Sequence, residues 1–264
     1  MALVAPVGFD IDRLRAAVRA TYESVARDPS GNFHFHRGAA YAVEHLGYDA
    51  VELAALPREA TDRFAGVGNP LALGPLSPGE TVLDHACGAG TDLLLAARRV
   101  GPTGRAIGVD LTPGMRAVAE RAAAAAGLQE RVEIRAGAYE QLPVADASID
   151  VVVSNGVVNL APDKRRVFRE LWRVLRPGGR LYLADVVVAR ELTYEARCRT
   201  DLWAACIAGA LTESELHALA QEVGFQQTEV VARFAAFAGT SAELHVSGDL
   251  SPIGVSFRCR KSAG

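Results

Sequence analysis

The chain predicts an α/β domain built on a mostly parallel sheet, and three observations carry that reading. From Gly79 onward, short apolar runs alternate with longer helical stretches, the pattern of repeated strand–helix units. The first of these runs turns directly into a glycine-rich loop, Val82-Leu83-Asp84-His85-Ala86-Cys87-Gly88-Ala89-Gly90. A length of 264 residues suits one large buried core with a small appended lobe better than two full domains.

The N-terminal part reads as helical. Residues 10–27 place Ile11, Leu14, Val18, Tyr22 and Val25 at the spacing of one helix face. The turn Asp28-Pro29-Ser30-Gly31 separates them from a second helix at 39–46, and a third short helix starts after Pro57. Residues 1–78 are therefore expected to form a helical cap, or lid, on a sheet-bearing unit at 79–264.

Strands are expected at 81–84, 105–110, 132–136, 149–154 and 180–185. Helices at 92–100, 112–126 and 164–175 join them, the last stopped by Arg176-Pro177-Gly178-Gly179. A helical stretch containing 202–206 follows, then a helix that Thr212 can cap, so 190–224 supply substrate-side helices. Runs at 226–234 and 254–259, with no helix between them, read as an antiparallel hairpin on the sheet edge.

Half of the residues are apolar, yet no run approaches the roughly 18 that a membrane-spanning helix needs. The first residues lack the marks of an export or transit signal, so a soluble cytoplasmic protein is expected. A net charge of −3 with interspersed signs offers no basic stripe for nucleic acid, which leaves a small molecule as the expected partner. Monomer and homodimer both stay open. Cys87, Cys198, Cys206 and Cys259 form no CxxC pair and no finger-like spacing, so free thiols and no bound metal are expected.

The loop after the first strand carries the chemistry. Gly88 and Gly90 let the backbone bend and approach a ligand, and the helix that follows presents free N–H groups. The next strand ends in Asp110, twenty residues after Gly90, where a carboxylate can accept from both ribose hydroxyls. An adenosine-type ligand at the strand ends follows. Dinucleotide loops need a third glycine where Leu93 stands, and Asp84 would repel a pyrophosphate while meeting an amino group. S-adenosylmethionine (SAM) fits these residues better than a dinucleotide.

The series Asp84-x-x-Cys87-Gly88-x-Gly90, Gly108-Val109-Asp110, Leu142-Pro143 and Leu175-Arg176-Pro177-Gly178-Gly179 resembles the motifs of class I SAM-dependent methyltransferases. The resemblance implies a Rossmann-like, seven-stranded, mostly parallel sheet with an antiparallel last strand. It implies a SAM site at Asp84, Ala86, Cys87, Gly88, Gly90 and Asp110, continued by Leu111, Met115, Ala138, Tyr139 and Asn155. Many relatives carry an acid where Ala138 stands, so an adenine hydrogen bond is either missing here or made by backbone.

A narrower resemblance is carried by Phe64-Ala65-Gly66-Val67-Gly68-Asn69-Pro70, by Ser154-Asn155-Gly156-Val157-Val158-Asn159-Leu160-Ala161-Pro162-Asp163-Lys164, and by Cys206-Ile207-Ala208-Gly209-Ala210-Leu211. These segments are similar to arsenite methyltransferases and imply methyl transfer to trivalent arsenic held through thiols. Arsenic in that state is soft, so thiolates suit it, and its lone pair needs no strong base. The enzyme's task is then placement at about 3–3.5 Å from the methyl group.

Cys206 matches the family's motif, but the family's N-terminal cysteine has no counterpart in Asn32-Phe33-His34-Phe35-His36-Arg37. On one continuous helix Cys198 and Cys206, eight residues apart, lie about 12 Å apart along the axis, too far to share an atom. Cys259 alternates in phase with Ile253, Val255 and Phe257 and reads as core, as Cys87 reads as packing under the cofactor. For Cys206, ligation and packing both stand.

His34 and His36 point the same way if their segment is extended, as a base pair or as packing residues. Asn155 and Asn159 fall in the loop after the fourth strand and are expected at the acceptor. An organic O-, N- or C-nucleophile deprotonated by His34 or His36 is the alternative acceptor. A binding protein that keeps SAM but has lost its acceptor chemistry is a third reading.

Overall fold

A computed structural model of the chain describes residues 3–235, 237–238, 240 and 252–263. A seven-stranded sheet runs through it in the order β3-β2-β1-β4-β5-β7-β6. The first five strands are β1 (Thr81–His85), β2 (Arg105–Asp110), β3 (Val132–Ala136), β4 (Ile149–Asn155) and β5 (Leu175–Val187), all parallel to one another. The last two are β6 (Phe225–Phe234) and β7 (Ile253–Lys261). β7 runs antiparallel to both β5 and β6, so it is slotted between them and β6 forms the edge. The late pair is thus antiparallel as its pattern predicts.

The central strands are apolar on both faces because helices cover both. Val151, Val152 and Val153 are fully buried in β4, as are Val82 and Leu83 in β1. The covering helices are α5 (Thr91–Arg99), α6 (Pro113–Ala125), α7 (Lys164–Val174) and α10 (Glu213–Val223). The Asp163 side chain caps α7 by accepting from the Arg166 N–H, and Thr212 with Glu215 forms a reciprocal capping box on α10.

Three local expectations change. The 164–175 helix ends at Val174, because Leu175 already pairs with Ile149 and Arg176–Gly179 are taken up as an irregularity at the start of β5. The stretch before α10 is broken into α8 (Tyr194–Arg197) and α9 (Thr200–Ala204), with Cys198 at the end of α8, so Cys198 and Cys206 do not share one helix. Cys206 itself lies beyond α9 in the left-handed region, at φ 63°.

The N-terminal helices are α1 (Ile11–Arg27), α2 (Gly38–Leu46), α3 (Ala50–Ala54) and α4 (Arg58–Thr61). Tyr41, Leu46, Leu53, Phe64 and Leu71 pack into one cluster with Val82, Leu94, Val151 and Tyr182, so this segment shares the core of the sheet. α1 is tied down elsewhere: Glu23 accepts from the Gly114 N–H at 3.1 Å, and Arg15 pairs with Glu140 at 2.8 Å. No helix among the described residues is long and apolar enough to cross a membrane.

Candidate active site

The strand order reverses direction between β1 and β4, and a crevice opens at the carboxyl ends of the strands there, as in other open α/β sheets. About 1010 Å³ of empty space, part of it facing solvent, lies in that crevice. That is the size of a small-molecule site. β1 and its loop contribute Asp84, Ala86, Cys87 and Gly88, and β2 and the residues after it contribute Asp110, Leu111 and Met115. Tyr139 and Asn155 also line it, and α1 closes one side with Arg15, Val18, Arg19 and Tyr22.

The loop bends as its glycines foretell, and more sharply. Ala86 (φ 60°), Gly88 (φ 51°) and Gly90 (φ 91°) are all left-handed, and only glycine adopts that region without strain. Gly90 starts α5 and faces away from the cavity: a Cβ there would stand 3.2 Å from the Ala119 Cβ. Its role is close packing of α5 on α6. Cys87 is buried beneath the loop, so near β2 that a Cβ on Gly108 would meet its Sγ at 2.7 Å. Burial, then the nearby Asp84 carboxylate, pushes that thiol up.

Three buried carboxylates face the cavity, Asp84, Asp92 and Asp110. Asp110 accepts from the Gly88 N–H at 2.9 Å and the Thr112 N–H at 2.7 Å. Asp92 accepts from the Tyr48 hydroxyl at 2.6 Å and from Asn155 Nδ2 at 3.0 Å. Asp84 is held by the Leu93 N–H, yet its Oδ2 has no partner. Burial raises all three above the ordinary carboxylate range, and for Asp84 the charges of Asp92 and Asp110 push further in the same direction.

This donor set fits SAM, whose amino-acid end carries an ammonium and whose sulfur is positive. An ammonium would satisfy Asp84 Oδ2 and relieve the repulsion among the carboxylates. A dinucleotide's pyrophosphate would add negative charge instead.

Asn155 is fixed from both ends. Its Oδ1 accepts from the Val67 N–H at 2.9 Å, which aims Nδ2 at Asp92, the Tyr48 hydroxyl and the Gly68 carbonyl. Tyr139 donates to the Leu160 carbonyl at 3.4 Å. Ala138 does not line the cavity, whereas Gly137 and Tyr139 on either side of it do. His85, fully buried, bridges Ser154 Oγ and the Tyr139 carbonyl, and burial lowers it to about 4, so it is a neutral spacer.

The acceptor candidates are dispersed. Asn159 is turned into the protein, donating to Asp185 Oδ1 at 2.7 Å, because Asp185 also takes the N–H groups of Val158 and Asn159 and thereby folds the loop after β4. His36 bonds the Ala238 carbonyl at 2.7 Å and stacks on Tyr41, and His34 meets the Phe35 ring edge-on. Neither histidine lines the cavity, for their segment is not extended. Cys206 packs with Val67, Leu160, Val186 and Ile207, and burial followed by the Asp185 charge raises its thiol to about 12. Leu160 belongs to that cluster, Val18 and Tyr22 pack against it, and all three also line the cavity, so Cys206 sits in a cluster that forms part of the cavity wall without itself lining the cavity.

Asp92, which lines the cavity, and its hydrogen-bond partner Tyr48 escape a motif reading. Asp92 sits in the first turn of α5 and passes for an ordinary helix-start acid. Tyr48 lies 44 residues away from it in a segment with no motif.

Comparison with known proteins agrees with this geometry. A family profile described as a methyltransferase domain matches residues 76–224. The arsenite methyltransferase of Halobacterium salinarum is 48% identical over 187 residues, 71% of this chain and 47% of that protein. The human arsenite methyltransferase is 37% identical over 188 residues, 68% of this chain and 50% of that protein. The chain thus spans about half the length of the curated relatives it matches. The crystal structure of an arsenic(III) S-adenosylmethionine methyltransferase from Chlamydomonas reinhardtii superimposes with a TM-score of 0.72 at 34% identity, covering 81% of this chain and 73% of that one. The chain belongs to the methyltransferase domain family and carries the fold of the class I SAM-dependent methyltransferases, with arsenite methyltransferases among its relatives.

Proposed function

We propose that the chain is a SAM-dependent methyltransferase of the arsenite methyltransferase type, with α1 as the lid over its cofactor. The observation that carries the cofactor half is the buried, unpartnered Asp84 Oδ2 at the cavity wall. Bound SAM would supply a methyl group on a positively charged sulfur. Asp84 and Asp110 would hold its ammonium and ribose, and Val18, Tyr22 and Leu160 would keep water from the acceptor end.

The acceptor half rests on kinship with arsenite methyltransferases and on Cys206 in the cluster that forms part of the cavity wall. Because burial keeps the Cys206 thiol protonated, ligation must hand its proton to a hydroxide or thiolate leaving the arsenic, which departs as water or free thiol. Arsenic's lone pair then serves as nucleophile and no base is required. His34 and His36, standing outside the cavity lining, do not favour the organic acceptor.

The test is a methyl-transfer assay with arsenite and excess thiol on the parent and on Cys206→Ala. Methylated arsenic from the parent and none from the variant is expected. Product from both removes Cys206 from the site, and product from neither contradicts the arsenic acceptor.

A further inference from the structure

We infer that Tyr48, from the N-terminal segment outside the matched methyltransferase domain, is a positioning residue for the cofactor's ammonium, acting through Asp92. This rests on the SAM-binding reading above and extends it to a second carboxylate arm.

Asp92 shares the cavity wall with the unpartnered Asp84, and the charge of Asp92 adds to burial in raising the proton affinity of Asp84. Two such groups side by side in a buried wall call for a cation between them. Asp92 is fit for that role only if it is ionised and aimed, and its two oxygens are occupied by donors that do both. Oδ1 takes the Tyr48 hydroxyl at 2.6 Å, a charge-assisted length, and Oδ2 takes Asn155 Nδ2 at 3.0 Å. Each oxygen keeps a second acceptor direction for a ligand.

Tyr48 is itself rigidly placed. Gly47 is left-handed (φ 72°), which ends α2 and turns the Tyr48 N–H back to the Ala42 carbonyl at 3.1 Å. Its ring is buried edge-on against Phe64 at 5.1 Å. Burial, reinforced by the Asp92 charge, keeps the phenol protonated and therefore a donor. The hydroxyl also receives Asn155 Nδ2 at 3.2 Å, so the three side chains close a triangle.

The experiment is calorimetric binding of S-adenosylhomocysteine and of the same thioether nucleoside without its α-amino group, to the parent, Tyr48→Phe and Asp92→Asn. Phenylalanine keeps the ring against Phe64 and removes only the hydroxyl. The expected result is about tenfold weaker binding of S-adenosylhomocysteine by Tyr48→Phe, more by Asp92→Asn, with the amino-free compound bound equally by all three proteins. Equal losses for both compounds would assign Tyr48 a merely structural role, and no loss for either would remove it; both overturn the inference while leaving SAM binding intact. A parent that binds neither compound would overturn the SAM reading and this inference with it.

Discussion

Asp84 and Asp110 stand at the carboxyl ends of adjacent parallel strands and differ in one respect: two backbone N–H groups bond Asp110, one to each oxygen, whereas Asp84 keeps a buried oxygen with no partner. The loop is thus finished around Asp110 and left unfinished at Asp84. An uncompensated buried carboxylate costs stability, and the fold tolerates it where a cationic ligand offsets it.

Asp84→Asn should therefore stabilise the ligand-free protein. A folded-state value above the ordinary 3.8 means that this group's stabilisation is present at acid pH and lost as pH rises through the folded value. At pH 7 the neutral amide avoids that loss. Thermal unfolding should show a gain of about 2–4 °C for the variant, as ~1 kcal/mol produces in a domain of this size. The upward shift that S-adenosylhomocysteine gives the parent should vanish.

His85 predicts the opposite limb. Its folded value of about 4 lies below the ordinary 6.5, so its stabilisation is present above about 6.5 and is lost as pH falls toward about 4. Between pH 7 and 4 the parent should lose more denaturation midpoint than His85→Gln; parallel decline in the two would contradict a buried neutral imidazole.

Gly66→Ala should damage the site from the cavity wall itself, which Gly66 lines. A Cβ there would fall 2.4 Å from Asn155 Nδ2 and 2.5 Å from the Phe64 ring, so Asn155 must turn away from Asp92. Overpacking of this kind costs about 1–3 kcal/mol, readable by urea denaturation. Weaker S-adenosylhomocysteine binding should accompany it.

The thiols should separate by exposure. Cys198 is exposed, whereas Cys87, Cys206 and Cys259 are buried, so a disulfide reagent at neutral pH should label one of the four cysteines quickly and all four after unfolding. Cys198→Ser should abolish the fast phase. A fast phase that persists would place Cys206 or Cys87 in contact with solvent.

The sheet was legible because its strands carry strong local signals, with buried runs such as Val151-Val152-Val153 closed by turn residues. Asp84, Gly88 and Asp110 were legible for a similar reason, since a tight bend after one strand and a carboxylate at the end of the next demand particular residue types. The insertion of β7 between β5 and β6 was not, because pairing order depends on contacts distant in sequence. Nor was the break before Cys206, where no proline interrupts the helical pattern between α8 and α9. His34 and His36 misled because alternation orients side chains only in an extended segment, and this one curls so that His36 meets Tyr41. Tyr48 was invisible because its importance lies in one hydroxyl brought to Asp92 by the fold.

Titration of the purified chain with S-adenosylhomocysteine, set beside NAD and repeated on Asp84→Asn, probes the unfinished carboxylate most directly. Saturable binding of the thioether nucleoside to one site, its loss in Asp84→Asn and no heat with NAD are expected. Binding that survives the substitution, or a preference for the dinucleotide, would contradict an ammonium-binding role for Asp84 at the end of β1.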